Sequence, residues 1–296
     1  MSGVMERTLA ILERLAADVA GVPLATLADE LGIPRSAAHR LLTDLAQQGY
    51  VRQSHERGLY MLTTKLVSLG LNYLKASGVV DLTQPILDRL AEASGELVRL
   101  GVVDVDHITW VSLSQGATSG LRYDPDHGTD VRLSGTSSGQ AWLSTLPEDD
   151  AIALLSRQGI GKPAEYGPNA PATIAAVMKA VRQARKDGIA FTCETYARGL
   201  NAMSTPVMAP GNGAVGVLAM SGPSVRLTED KMHHWAGELK AAAADVARAS
   251  AASPLFRRAY SPPPERPAAA PPQGGDASGP AKPAPRRSLG QAAHGR

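Results

Sequence analysis

The sequence predicts an α+β protein in two parts: three short helices and a hairpin, then an antiparallel sheet flanked by helices. Three observations predict it. Apolar residues recur at helical spacing near the N-terminus, extended segments joined by tight turns interleave with helices beyond Gly95, and the last forty or so residues hold almost no large apolar side chain.

The elements follow in order. Leu9, Leu12, Leu15, Ala16 and Val19 form a first helical stripe, interrupted by Gly21 and Pro23. Leu24, Leu27, Ala28 and Leu31 form a shorter second one. Gly32-Ile33-Pro34 turns the chain, and Pro34 suits the first turn of a helix, where its missing N–H is not needed. The third helix carries Ala38, Leu41, Leu42 and Leu45, and Gly49 ends it. Extended pieces at 50–53 and 59–62 flank a polar turn and read as a hairpin. Residues 64–94 read as two helices broken near Gly78. Then come a β-rich pair at 96–105 and 107–114, and short extended pieces at 121–123 and 131–133. Helices follow at 138–146, 148–157 and 172–187, strands at 189–192, 202–209 and 214–221, and a last helix from the Thr228 cap to about residue 252. The division expected is a unit of three helices and a hairpin at 1–75, a linker helix at 76–94, a unit of antiparallel sheet and helices at 95–252 and a Pro/Ala-rich, disordered basic tail at 253–296.

Composition removes several classes of function. No run of about 18 uncharged apolar residues occurs, so no membrane span is expected. The N-terminus reads as an amphipathic helix and lacks the pattern of a signal peptide. The single cysteine, Cys193, rules out an intrachain disulfide framework or a cysteine zinc cluster and fits a reducing cytoplasm. Net charge is only +2. Seven of the 30 Lys/Arg and two of the 28 Asp/Glu fall from Pro254 onward, leaving 23 basic against 26 acidic residues before it. Contact with nucleic acid therefore has to come from a local patch.

Three short helices and a hairpin make a winged helix-turn-helix, whose third helix enters the major groove while the wing grips the backbone. Opposite the apolar stripe of that helix stand Arg35, Ser36, His39, Arg40 and Thr43, all donors and none acidic; the wing adds Arg52, Gln53, His55 and Arg57. Arginine can bridge guanine O6 and N7, and hydroxyls or His can bond phosphates and base edges. The competing reading is the solvated face of a protein-interaction domain.

LATLADELGIPRSAAHRLLTDLAQQGYV closely resembles the helix-turn-helix of IclR-family regulators, and the resemblance continues in RGLYMLTTKLVSLG, LSGTSSGQAWLS, ETYARGLNAMSTPV and LAMSGPSVRLTED, covering roughly residues 4–250. It implies a GAF-like effector domain, a homodimer or homotetramer, a near-palindromic operator in double-stranded DNA, and a small organic-acid effector. The pocket it implies is lined by Thr136, Ser137 and Ser138 at a helix start, by Thr192 and Cys193, by Ala202 and Met203, and by Ser221. The N–H groups of a helix beginning at Ser137 and Ser138 favour an anion such as a carboxylate, aromatic acids included. Equally, serines there serve as caps. Family members that bind small keto acids commonly carry an acidic residue at the position of Thr192 and often a cysteine at that of Ala202. This pocket is therefore expected to be more neutral and roomier.

Other signals carry less. Gly211 to Gly216 fits G-x-G-x-x-G, yet an apolar strand-like run follows where a dinucleotide site needs a helix, so a β-turn is expected. Cys193-Glu194 has no nameable base, so no catalytic residue and no enzyme is expected. His233 and His234 are adjacent on a helix and point apart, so neither a metal nor any other cofactor is expected. His107 and Trp110 read as structural, although Trp110 is able to stack on an aromatic effector.

Overall fold

The computed structural model describes residues 3–54, 58–124, 131–162, 165–209, 211, 213–251 and 253–257. Helices α1 (Val4–Ala16), α2 (Leu24–Glu30) and α3 (Arg35–Gln47) precede a two-stranded antiparallel wing, β1 (Val51–Gln53) and β2 (Tyr60–Leu62). Their core gathers Ile11, Leu15, Leu27, Ala38, Leu42 and Val51. The first helix faces its core differently from the expected stripe: Ile11 and Leu15, one turn apart, are buried, while Leu9 is half-exposed. Val19 lies beyond the helix end at Ala16, in open solvent. Between α2 and α3, Gly32 adopts φ +62 with open space where a Cβ would stand, so this turn needs glycine for its backbone conformation alone. Ile33 N–H then donates to the Ala28 carbonyl at 2.9 Å and closes the corner. Pro34 stands at the cap, one residue earlier than its expected place in the first turn.

Helices α4 (Lys65–Ser77) and α5 (Val79–Ser94) lead into a sheet of five strands. These are β3 (Leu97–Asp104), β4 (His107–Gln115), β5 (Ala190–Cys193), β6 (Leu200–Ala209) and β7 (Gly213–Pro223), in the order β4-β3-β7-β6-β5, antiparallel throughout. Residues 213–216 of the glycine-rich stretch already belong to strand β7, where a dinucleotide site needs a helix. Successive side chains on a strand face opposite ways. One face of the sheet packs with α5 and α9 (Glu229–Ala249) around Val98, Leu100, Met203, Leu218 and Met220. The other packs with α6 (Ser137–Leu143), α7 (Glu148–Gln158) and α8 (Ile174–Asp187) around Val217, Ile108 and Trp142.

Two expectations change. Residues 121–123 and 131–133 are loop where short strands were expected. Side chains satisfy their backbone in place of a ladder: Gln158 accepts from Leu133 N–H and donates to the Val131 carbonyl, and Gln115 donates to the Tyr123 carbonyl. The first described residues of the expected 253–296 tail belong to the fold. Pro254–Arg257 forms a 3-10 turn that buries Leu255 and Phe256 in the α5/α9 core, because an aromatic ring gains more from burial than its short segment loses on ordering. Residues from 258 onward lie outside the described residues.

A brace ties the cavity loop to the start of the sheet. Glu96 is 2% exposed and takes two hydrogen bonds from Arg226, from Nε and Nη2, each at 2.7 Å. The remaining Nη1 of Arg226 donates to the Leu121 carbonyl at 2.6 Å. A Cβ on Gly222 would lie 2.1 Å from the Glu96 carboxylate, so only glycine leaves room for the pair. Removing one partner strands a buried charge. Arg226→Ala is expected to cost about 3–5 kcal/mol in chemical denaturation, and replacing both partners by apolar residues to cost much less.

Candidate functional site

The outward face of α3 carries Ser36, His39, Arg40 and Thr43, all exposed while Ala38, Leu41, Leu42 and Leu45 are buried. Helical spacing adds exposed Gln47, one turn beyond Thr43, which the sequence reading passed over. Thr43 donates to the His39 carbonyl at 2.9 Å. Arg35 is exposed but turned back toward Asp29 at 3.4 Å, a surface pair too weak to fix it there. On the wing, Arg52 is exposed, and Gln53 donates its amide to the Gly58 carbonyl at 3.1 Å, closing the turn. His55 and Arg57 lie outside the described residues. Lys65 locks helix to wing, donating to the Gln48 carbonyl at 2.6 Å and sitting 4.3 Å over the Tyr50 ring. A rigid, donor-rich helix face beside a basic strand suits a DNA groove and its flanking phosphates.

In the five-stranded sheet, Thr192, Ala202 and Ser221 are cross-strand neighbours in one row and face the same side. With Thr136, Ser137 and Ser138 they line a cavity of about 240 Å³ between the sheet and the start of α6. Cys193 and Met203 were expected in the same pocket and are not there. Each is one residue along its strand from a cavity-lining residue, so the pleat turns it to the opposite face, against the α5/α9 core. Thr136 is the α6 cap, its hydroxyl accepting from Gly139 N–H at 3.0 Å. Ser137 and Ser138 share hydrogen bonds with the buried hydroxyl of Ser204, at 2.8 and 2.9 Å. Thr192 donates to the Ala202 carbonyl at 3.2 Å.

The tertiary structure adds Arg99, Trp110, Tyr123 and Tyr196 to the lining, with Asp124 and Arg132 among the rest. The Arg99 guanidinium lies 4.0 Å over the Trp110 ring and 5.8 Å from that of Tyr123. Its Nε is buried without a hydrogen-bond partner, and none of the ion pairs among the described residues includes it. Burial pushes its pKa down from the usual arginine value, and the neighbouring Tyr123 and Tyr196 oppose that shift. Arginine nevertheless stays charged in proteins. A lone cation in the apolar run LVRLGVV was the sequence signal for it. Trp110, read as structural, turns out to be both cavity wall and platform for that cation.

The remaining candidates are structural. His107 pairs with Asp106, which also holds Arg157. His233 packs on the Phe191 ring. Among the described residues no group of His, Cys, Asp and Glu is arranged to hold a metal, and no helix is long and apolar enough to cross a membrane.

Two family models match this chain: "IclR helix-turn-helix domain" over residues 4–55 and "Bacterial transcriptional regulator IclR C-terminal" over residues 71–248. The chain belongs to the IclR family of bacterial transcriptional regulators. It is 31% identical over 229 residues to the acetate operon repressor of Salmonella typhimurium, covering 77% of this chain and 82% of that one. It is 29% identical over 243 residues to the transcriptional repressor IclR of Escherichia coli, covering 82% and 88%. In fold it is similar to an IclR homologue of Microbacterium hydrocarbonoxydans solved with 4-hydroxybenzoate (TM-score 0.68, 18% identity, 85% of this chain and 100% of that one). An IclR-type chain is a DNA-binding regulator with a C-terminal effector domain, and is not an enzyme.

Cys193 agrees with a regulator's lack of catalysis. Burial first, then the nearby carboxylates of Glu229 and Glu194, push its thiol up to about 11. The thiolate is the reactive form, and a raised pKa removes it at neutral pH. Alkylation at pH 8 is expected to run about a hundredfold slower than for an unperturbed cysteine thiol, whose pKa is about 8.5, and to keep rising with pH until it levels off above about 11. Mass spectrometry of iodoacetamide-treated protein measures this.

Proposed function

We propose that this IclR-family regulator reads a near-palindromic operator through α3 and the wing, and that a small organic acid in the C-terminal cavity controls its grip. The observation that carries the reading is the Arg99 guanidinium, in no ion pair among the described residues, lining a cavity of a chain whose α3 presents an exposed row of hydrogen-bond donors. The aromatic acid held by the Microbacterium homologue supports extending that ligand chemistry here. On this reading residues 1–75 contact DNA, 76–94 form the linker, 95–252 bind the effector, and the protein works beside the chromosome in the cytoplasm. The acid acts by binding the DNA-competent and DNA-incompetent forms unequally.

Assembly as a homodimer fits the surface of α1 and α4. Val67, Leu69, Leu71 and Tyr73 on α4, and Val4, Met5 and Leu9 on α1, are each about half or more exposed. Apolar side chains gathered on one element mark an interaction surface. A twofold dimer places two α3 helices about 34 Å apart, one DNA turn. Leu71→Glu is expected to shift the protein toward monomer in sedimentation velocity and to weaken duplex binding in parallel.

Selection of random duplex DNA by the purified protein tests the central claim. Arg40→Ala is expected to cost about 1–3 kcal/mol on the selected site and to relax preference at one base position. Arg52→Ala is expected to weaken all sequences alike and to reduce the salt slope by about 1. Failure to enrich any motif at low salt sinks the operator reading and favours a protein partner on α3.

A further inference from the structure

The expected place for the effector's negative charge was the start of α6, but α6 is a short helix, Ser137–Leu143, and several of its first-turn groups are engaged within the protein. The Thr136 hydroxyl takes the Gly139 N–H, and the hydroxyls of Ser137 and Ser138 converge on Ser204. On the sheet, Arg99 stands in the row of Ala219 and Ser204, next to the row of Ser221, Ala202 and Thr192, all on the face that looks toward α6. The guanidinium lies over Trp110 and near Tyr123, so two aromatic side chains border it. Elsewhere in this protein a mostly buried arginine fork finds its carboxylate, as Arg226 finds Glu96. Arg99 has no such partner among the ion pairs of the described residues, and a buried cation without one is costly. The cavity supplies the place for one.

We propose that Arg99, resting over Trp110, is the anchor for the carboxylate of a planar, aryl monocarboxylic acid whose neutral oxygen substituent meets the hydroxyl-lined floor of the cavity. This rests on the effector reading above and names the ligand class and the residue that selects it. A carboxylate accepts two parallel N–H bonds from a guanidinium. An aryl acid keeps its ring near the plane of its carboxylate, so the ring runs along the wall formed by Trp110 and Tyr123. Beyond it lie Thr192 and Ser221, hydroxyls that serve a phenol or ketone oxygen. A cavity of about 240 Å³ suits a single ring with small substituents. Asp124 also lines the cavity, and its carboxylate disfavours a second negative charge near it.

Calorimetric titration of the full chain, without DNA, tests this with benzoate, 4-hydroxybenzoate and uncharged 4-hydroxybenzamide as probes. Wild-type protein is expected to bind 4-hydroxybenzoate more tightly than benzoate, and at least tenfold more tightly than the amide. Arg99→Met is expected to lose at least thirtyfold in affinity for both acids while the weak amide affinity stays. Arg99→Lys, which keeps charge but loses the fork, is expected to fall between. Thermal melts establish that each variant is folded, and the acid-to-amide ratio on wild-type protein needs no variant. Equal binding of amide and acid, undiminished acid binding by folded Arg99→Met, or binding of no probe at millimolar concentration overturns the proposal. Binding of wild-type protein to its selected duplex, measured separately without acid, keeps the two readings apart. Duplex binding with no Arg99-dependent acid binding ends this inference alone, and its converse ends the operator reading alone.

Discussion

The two-residue period of the five-stranded sheet governs the whole C-terminal half. Each strand sends alternate side chains to opposite sides, and the two sides do different work. Val98, Met220, Met203 and Phe191 form one cross-strand row that packs against α5 and α9. Their neighbours Arg99, Ser221, Ala202 and Thr192 face α6 and line the cavity. A slip of one residue in register would bury Arg99 among the apolar side chains of α5 and α9, where nothing offsets the cost of its charge. The same alternation that makes a core therefore makes the cavity, and the cavity's cation helps to specify the register of the core.

The cavity is closed by loops, and these are held by side chains in place of a sheet ladder. Gln158 holds 131–133, Gln115 holds Tyr123, and Arg226 holds Leu121 while gripping Glu96. Glu96 lies between the end of α5 and the first residue of β3, so the brace joins a cavity wall to the junction between linker and sheet. Arg226 thus spans two regions that an effector-dependent change in the linker would have to connect. The N-terminal unit has its own core, and its rigidity comes from local devices: the Gly32 corner, the Lys65 lock on α3 and the Gln53 closure of the wing.

Most of the fold was legible in the sequence because its elements are strongly periodic. The third helix, the wing, the break at Gly78, and the β6–β7 hairpin all announce themselves by apolar spacing and by turn residues. Legibility failed where the stabilising partner is distant in sequence. Residues 121–123 and 131–133 have strand-like composition, but their backbone partners are Gln115, Arg226 and Gln158, which no local window contains. The burial of Leu255 and Phe256 was not legible at the edge of the Pro/Ala-rich stretch, because their core neighbours are distant in sequence.

By itself the sequence determined the two-part architecture, the donor-rich face of α3, and six of the residues that line the cavity. Side-chain type at helical or strand spacing is a local property, and family resemblance carried the rest. Only the tertiary structure decided which neighbours enter the cavity and which turn away. Cys193 and Met203 fell on the wrong side of the pleat, whereas Arg99, Trp110, Tyr123 and Tyr196 converged from four separate segments. The reason is physical: a charge in an apolar strand is only a warning until folding shows what stands opposite it, and opposite Arg99 folding leaves an aromatic cradle and room for an anion.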